Sequence, residues 1–302
     1  MPALTTPDSG HSFEASAERP FPETKQIKLI ALDLDGTLLN SEKALTPRNR
    51  AALELAANHD IWVVPATGRF YRGMPAVIRD LPFVRYVITI NGAQVFDAET
   101  GESIYSADIP TNEAIAFYEY LDTLPVIYDA YVDGWGYMTE DMQRHADEYS
   151  MLPFQMQMIR ELRSTVPELK EFLRKGGHRL QKMQLFVKNS SDRDALLQEL
   201  AQRYPQFAVS SSLPNNIEVN SRDADKGRAL TELANKLGIA VAQTMAFGDG
   251  LNDLTMLRAA GIGVAMDNGH PATKAAADLL AEDCDDDGVA KVIERLVSRA
   301  TR

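Results

Sequence analysis

Ile27-Lys28-Leu29-Ile30-Ala31-Leu32-Asp33-Leu34-Asp35-Gly36-Thr37-Leu38 is the stretch on which the reading of this chain turns. Residues 27–32 are mostly apolar and do not alternate with polar ones. They read as a strand buried on both faces, the pattern of parallel sheets. The run ends on a carboxylate, Asp33, and a second follows at Asp35. Two carboxylates so spaced at a strand end can face one site if the chain bends, and Gly36 permits the bend. The same grammar repeats downstream. Thr46 and Pro47 open a helix through Ala57, with N-cap and first-turn residues in the right order. Ile61–Val64 is a second buried strand, ending at Ala66-Thr67-Gly68-Arg69. Tyr86–Ile90 is a third, ending at Asn91-Gly92. Strand, helix, strand, helix, strand is the signature of a doubly wound parallel sheet.

The rhythm breaks at Ala93. Residues 93–219 mix hairpin-like pieces (Gln94-Val95-Phe96 and Ser103-Ile104-Tyr105) with helices and period-2 strands such as Gln184-Leu185-Phe186-Val187. This is α+β patterning, long enough for its own core. The α/β rhythm then resumes with a helix over Lys226–Leu237, a strand over Thr244–Phe247, a helix from Leu251 and a strand over Ile262–Ala265. The expected architecture is a Rossmann-like α/β core domain (27–92 and 220–302) with an inserted α+β domain (93–219). A polar, turn-rich lead-in (1–26) precedes them and reads as flexible. The acidic run Glu282–Asp287 reads as a solvated loop before the last helix. Ligands of open α/β sheets sit beyond the carboxyl ends of the strands. Asp33, Thr67 and Asp249 all fall there, on three strands, so they can converge.

Composition narrows the function. The chain has 302 residues, 45% hydrophobic and 25% charged, with a formal net charge of −12. That balance argues against a nucleic-acid partner, which calls for a basic face. An acidic chain binds an anionic substrate only where a metal and a few placed cations reverse the local sign. Cys284 is the only cysteine, so no intramolecular disulfide forms and a reducing, cytoplasmic setting fits. No apolar run approaches the length of a membrane span. The N-terminus lacks the basic-then-apolar layout of a signal peptide. No feature sets an oligomeric state.

Three further motifs carry chemistry. In Thr67-Gly68 a hydroxyl precedes a glycine amide at a strand end, a pair that can bind a phosphate oxygen. Lys226-Gly227 opens a helix and can put an ammonium on a phosphate, helped by the helix N-terminus. Gly248-Asp249-Gly250-Leu251-Asn252-Asp253 places two carboxylates and a carboxamide at a strand-to-helix turn. Hard oxygen donors of this kind suit Mg²⁺. If this motif meets Asp33 and Asp35, four carboxylates share a small volume, which is costly unless a cation neutralises them.

The four motifs, in this order and spacing, resemble the haloacid dehalogenase superfamily, and the large insert resembles the Cof-type phosphatases of class IIB. Asn91-Gly92-Ala93, Ala265-Met266-Asp267-Asn268-Gly269, Lys274–Asp278 and Asp287-Gly288-Val289-Ala290 fit the same subclass, with Asp267 where the family usually has glycine. The resemblance implies an Mg²⁺-dependent phosphatase of small phosphorylated metabolites, most naturally sugar phosphates. In it Asp33 attacks phosphorus to form an aspartyl-phosphate, and Asp35 protonates the leaving oxygen and then serves as base for water. It implies that Asp33, the Asp35 backbone carbonyl and Asp249 hold the metal, with Asp253 behind them. It implies that Thr67, the Gly68 amide, Lys226 and Asn252 hold the phosphate oxygens. Arg69 is as readily a structural ion pair as a ligand. Aspartate at position 35, rather than the threonine of the ATPase pumps, points to phosphatases and phosphomutases. A phosphomutase of the phosphomannomutase type and a non-catalytic phosphometabolite-binding protein are the alternatives.

The insert should cover the site and touch the leaving group. Tyr128, Tyr131, Trp135 and Tyr137 can stack on a ring or form core. Met151, Met156 and Met158 read as packing. Arg174, Lys175, His178, Arg179 and Lys182 read as solvated surface or as a site for a second anionic group. The five histidines show no metal-ligand spacing.

Overall fold

Residues 29–32 form a strand buried along its whole length. In the computed structural model its alternate side chains enter different cores. Ile30 and Leu32 pack with the helices Pro47–Ala57 and Gly288–Ala300, through Ala52, Leu53, Val289 and Ile293. Leu29 and Ala31 pack with the helices Lys226–Lys236 and Leu254–Ala259, through Ala229, Leu230, Leu233 and Met256. An unbroken apolar run is what a sheet covered on both faces requires. The structure describes residues 26–149 and 151–300. The lead-in expected over 1–26 therefore lies outside the described residues except for Gln26.

The strands in chain order are β1 (Leu29–Leu32), β2 (Trp62–Pro65), β3 (Tyr86–Thr89), β4 (Gln94–Asp97), β5 (Ser103–Ser106), β6 (Val126–Val132), β7 (Trp135–Thr139), β8 (Arg163–Val166), β9 (Leu180–Val187), β10 (Phe207–Ser210), β11 (Asn216–Ser221), β12 (Thr244–Gly248), β13 (Ile262–Met266) and β14 (Leu279–Ala281). Five of them form a parallel sheet in the order β14-β13-β12-β1-β2. The third expected parallel strand departs from this. β3 meets the end of β2 through one parallel bridge, Ala66 with Ile88, and otherwise pairs antiparallel with β4. The hairpin pieces expected to open the insert, β4 and β5, complete a three-stranded sheet with β3. They follow the Asn91-Gly92 turn, where Asn91 takes a left-handed φ of 56°, and short-range pairing wins over the composition of the segment.

The rest of the insert is a six-stranded sheet, β10-β11-β9-β6-β7-β8, antiparallel except for β7 with β8. Its period-2 alternation sorts two buried faces rather than core from solvent. Tyr128, Ala130, Val132, Met183, Leu185, Ile217 and Val219 pack with Phe117, Tyr118, Leu169 and Leu200 of the covering helices. The intervening residues Asp129, Tyr131, Lys182, Gln184 and Glu218 are buried as well. That face stays polar because its charges pair: Arg163 donates to Asp129 at 2.7 Å, and Lys182 sits 2.9 Å from Glu218. The five-residue basic group accordingly makes no single patch. Lys182 is buried in this network, Arg174 pairs with Glu119 and Glu171, and His178 lies beside Asp133. Met151 and Met156 pack against Ile127, Met138 and Phe186.

Both chain crossings between the two units lie together. Tyr105, beside the outgoing crossing, donates its hydroxyl to the Asp223 carbonyl at 3.1 Å on the returning one. Gly92, at φ +89°, backs onto the Asp225 carbonyl so closely that a Cβ there would strike it. The acidic run is only partly solvated. Cys284 is buried, Asp285 accepts from the Ser41 amide, and Asp287 accepts from the Thr46 hydroxyl. No helix among the described residues is long and apolar enough to cross a membrane.

Candidate active site

Asp33 stands one residue beyond β1, in register with β12 on one side and β2 on the other. Its amide donates to the Phe247 carbonyl at 3.0 Å, so the loop starts in fixed register with the loop that carries Asp249. The chain then turns through Gly36, at φ +91°. A Cβ at position 36 would lie 2.7 Å from Asp249 Oδ2, so only glycine lets the two acidic loops close to this distance. Thr37 Oγ1 donates to Asp249 Oδ1 at 2.8 Å. Asn268 Nδ2, from the loop after β13, donates to the Gly36 carbonyl at 2.7 Å.

Lys226 is the first helical residue after the N-cap Asp225, and it is fully buried. Its ammonium donates to Asp33 Oδ1 at 2.6 Å and to Asp253 Oδ1 at 2.7 Å. Gly227 makes this burial possible, because a side chain there would land on the Thr255 carbonyl. Asp253 Oδ2 accepts from the amides of Asp249 and Gly250 at 3.0 and 2.9 Å. Both of its oxygens are therefore engaged, and it stands behind the site rather than in it.

The electrostatics follow from that crowding. Burial pushes the Asp33 carboxyl up to about 7; Lys226 pulls against this, while Asp253 and Asp249 add to it. Burial also raises Asp249, opposed by Thr37 and reinforced by Asp253. For Lys226 burial disfavours the charge, but Asp253 and Asp33 outweigh it and hold the ammonium charged. Carboxylate oxygens of Asp33, Asp249 and Asp253 lie within 4.8 Å of one another. One ammonium among three carboxylates leaves an excess of negative charge, and hard oxygen donors around such an excess suit a divalent cation. With Asp253 occupied by Lys226 and two amides, Asp33 and Asp249 are the carboxylates suited to hold it.

Asp35 points another way. Arg69 reaches it with two bonds, Nε to Oδ2 and Nη2 to Oδ1, each 3.1 Å, and Lys43 lies 3.3 Å from Oδ1. Burial alone would raise this carboxyl, but Arg69 and Lys43 hold it below the usual range. Arg69 is thus an ion pair, as the sequence allowed, and its partner is the other carboxylate of the first motif. Thr67 is buried, and its hydroxyl accepts from the Arg69 amide at 3.2 Å. Asn252, on the rim, donates to Asn91 Oδ1 at 3.2 Å, and that oxygen also lies against Gly68.

The structure therefore brings Asp33, Asp249, Asp253 and Lys226 around one point, with Asp35 two residues along the same loop but turned to Arg69 and Lys43, and with Thr67, Gly68 and Asn252 on adjoining loops. Sequence reasoning gave no role to Thr37, Asn91 or Lys43. Thr37 lay inside the first motif, and an asparagine before glycine at a strand end signals a left-handed turn; nothing distinguishes Lys43 from any loop lysine. The aromatic stretch divides. Tyr131 is buried, whereas Trp135 and Tyr137 line a cleft of about 430 Å³ with Tyr71, Arg72, Gln94 and Ser164. The Arg72 guanidinium stacks 4.2 Å over the Trp135 ring there. None of the site carboxylates lines that cleft.

Comparison with known proteins points the same way. The sequence profile of the haloacid dehalogenase-like hydrolases matches residues 30–293. Phosphatase YwpJ of Bacillus subtilis (strain 168) is 31% identical over 295 residues, covering 90% of this chain and 100% of the relative. The 5-amino-6-(5-phospho-D-ribitylamino)uracil phosphatase YcsE of the same organism is 29% identical, covering 91% of this chain and 98% of the relative. Among solved structures, the subclass IIB sugar phosphatase BT4131 superposes with a TM-score of 0.70 at 25% identity, covering 89% of this chain and 98% of that one.

Proposed function

The chain belongs to the haloacid dehalogenase-like hydrolases and is a phosphatase of their subclass IIB, and on that premise we propose that it hydrolyses sugar phosphates or similar small phosphate monoesters with Mg²⁺, through an aspartyl-phosphate on Asp33. The observation that carries this reading is the Asp33–Lys226–Asp253 chain of contacts beside Asp249, a buried carboxylate held by an ammonium where the loops after β1 and β12 meet the helix start at Lys226. The ribitylaminouracil phosphate of one relative and the sugar phosphates of the structural neighbour support the substrate class.

Asp33 attacks phosphorus. A bond forms from its carboxylate oxygen while the bond to the leaving oxygen breaks, and Asp35 supplies the proton that the alkoxide needs. In the second half-reaction water attacks the aspartyl-phosphate, Asp35 takes the water's proton, and Asp33 leaves as a carboxylate with release of phosphate. Lys226 fixes the rotation of the Asp33 carboxylate and offers positive charge to the phosphoryl oxygens. Thr67, the Gly68 amide and Asn252 are the further donors for those oxygens. Asp33, Asp249 and the Asp35 backbone carbonyl would hold the Mg²⁺, which when bound neutralises the phosphoryl charge. A screen of phosphorylated metabolites for phosphate release tests the proposal, with Asp33→Asn as the blank. Release by the Asp33→Asn protein at the wild-type rate would refute it.

A further inference from the structure

The carboxylate assigned above to acid and base work is not left to turn freely. Arg69 meets Asp35 as a fork, Nε to Oδ2 and Nη2 to Oδ1, each 3.1 Å. Two parallel bonds fix the rotation and tilt of a carboxylate, which a single bond does not. The fork is itself anchored. Arg69 Nη1 donates to the Gly73 carbonyl at 3.4 Å, its amide donates to the Thr67 hydroxyl at 3.2 Å, and its carbonyl accepts from the Ile90 amide at 3.0 Å. The next residue, Phe70, is 1% exposed. Its ring packs edge-on at 5.4 Å from Tyr131 and 5.9 Å from Trp135 of the six-stranded sheet. Lys43 reaches the same Asp35 oxygen, but its side chain is 57% exposed. A point charge on a flexible stem sets no direction.

We propose that Arg69 is the positioning residue for Asp35, its fork setting the direction in which that carboxylate faces the leaving oxygen and later the attacking water. This rests on the reading of Asp35 as acid and base. Arg69 acts through Asp35 and exchanges no proton, so the proton path stays as described. A residue that works only through another has a distinctive signature: its loss matters where the partner matters and nowhere else.

The test uses the full chain with Mg²⁺ and two probes, glycerol 2-phosphate, whose alkoxide needs a proton to leave, and p-nitrophenyl phosphate, whose phenolate does not. Asp35→Ala should slow phosphorylation by glycerol 2-phosphate by about two to four orders of magnitude and by the aryl ester far less. Arg69→Ala should reproduce that selectivity in weaker form in the single-turnover rate of phosphorylation, about ten- to hundredfold on the alkyl ester against roughly threefold on the aryl ester, with KM little changed and the second step slowed alike for both. Arg69→Lys, which keeps the charge and loses the fork, should resemble Arg69→Ala; it also serves if the alanine variant fails to fold. In the Asp35→Ala background, Arg69→Ala should cost no more than about twofold further. Equal losses of the phosphorylation rate on both esters, a shared rise in KM, or losses that multiply in the double variant would overturn the proposal, since each marks a phosphate ligand or a merely structural residue. If Asp35→Ala itself shows no preference between the esters, the acid and base reading has failed, and the role of Arg69 with it. If Asp35→Ala shows it and both Arg69 variants do not, only the positioning role has failed.

Discussion

Asp33 is held in the fold at a cost, and replacing it by asparagine should make the metal-free protein more stable while removing its activity. The carboxyl moves from an ordinary value of 3.8 to about 7. The sign follows from linkage. Between these values the unfolded chain has lost its proton and the folded chain has kept it, so stability falls as pH rises through that window and levels off above it. About three units at roughly 1.4 kcal/mol each make a penalty of about 4 kcal/mol above pH 7. At pH 5 only the first part of the window has been crossed, and the penalty is less than half of that. Asparagine has the shape of the protonated acid and no charge at either pH. The variant's advantage should therefore grow by about 2–3 kcal/mol between pH 5 and pH 8, or about 5 °C in Tm for a chain of this size. Thermal unfolding of both proteins in excess chelator at the two pH values measures it. Mg²⁺ should then narrow the gap at pH 8 by stabilising the wild type alone. An advantage that is absent at pH 8, or equal at both pH values, would mean that Asp33 is not strained by its surroundings.

Chelation should silence phosphate release and Mg²⁺ restore it, while beryllium fluoride, a phosphoryl mimic on a carboxylate, should inhibit the reaction; full turnover in excess chelator would remove the metal from the account. Arg163→Met should destabilise the protein by about 3–5 kcal/mol, because it leaves Asp129 charged and buried, with one of its oxygens already without a partner. Adding Asp129→Leu should recover most of that loss in urea titrations. Gly227→Ala should cost about 1–3 kcal/mol by overpacking and also lower kcat, since Lys226 must shift with its helix. Gly238→Ala, at φ +67° in open space, should cost about 1–2 kcal/mol of backbone strain and leave kcat unchanged.

The parallel sheet and the acidic loops were legible because each is encoded locally. An apolar run such as Leu29–Leu32, a capped helix start at Thr46-Pro47 and a carboxylate pair around a glycine bend each state their conformation within a dozen residues. The position of β4 and β5 was not legible in this way. Val95 and Ile104 suit either unit, and the Asn91-Gly92 turn that returns them to β3 is a backbone event whose reach depends on the helix it backs onto. The polar face of the six-stranded sheet escaped for a related reason. Lys182 and Glu218 are as charged as any surface pair in sequence, and only their register on β9 and β11 makes them neighbours in the interior. The Arg69–Asp35 fork spans 34 positions, and no local pattern announces which arginine finds which acid.

The neighbouring crossings at Tyr105 and Asp223 have an evolutionary meaning. A segment that leaves and re-enters at one edge can be lengthened, shortened or exchanged without moving either flank, much as an exon is spliced between fixed ends. On the returning side the fixed end is Asp225, the N-cap whose next residue is Lys226. The inserted segment is thus free to diversify, while Asp225 and the buried Lys226 behind it inherit an unchanged frame.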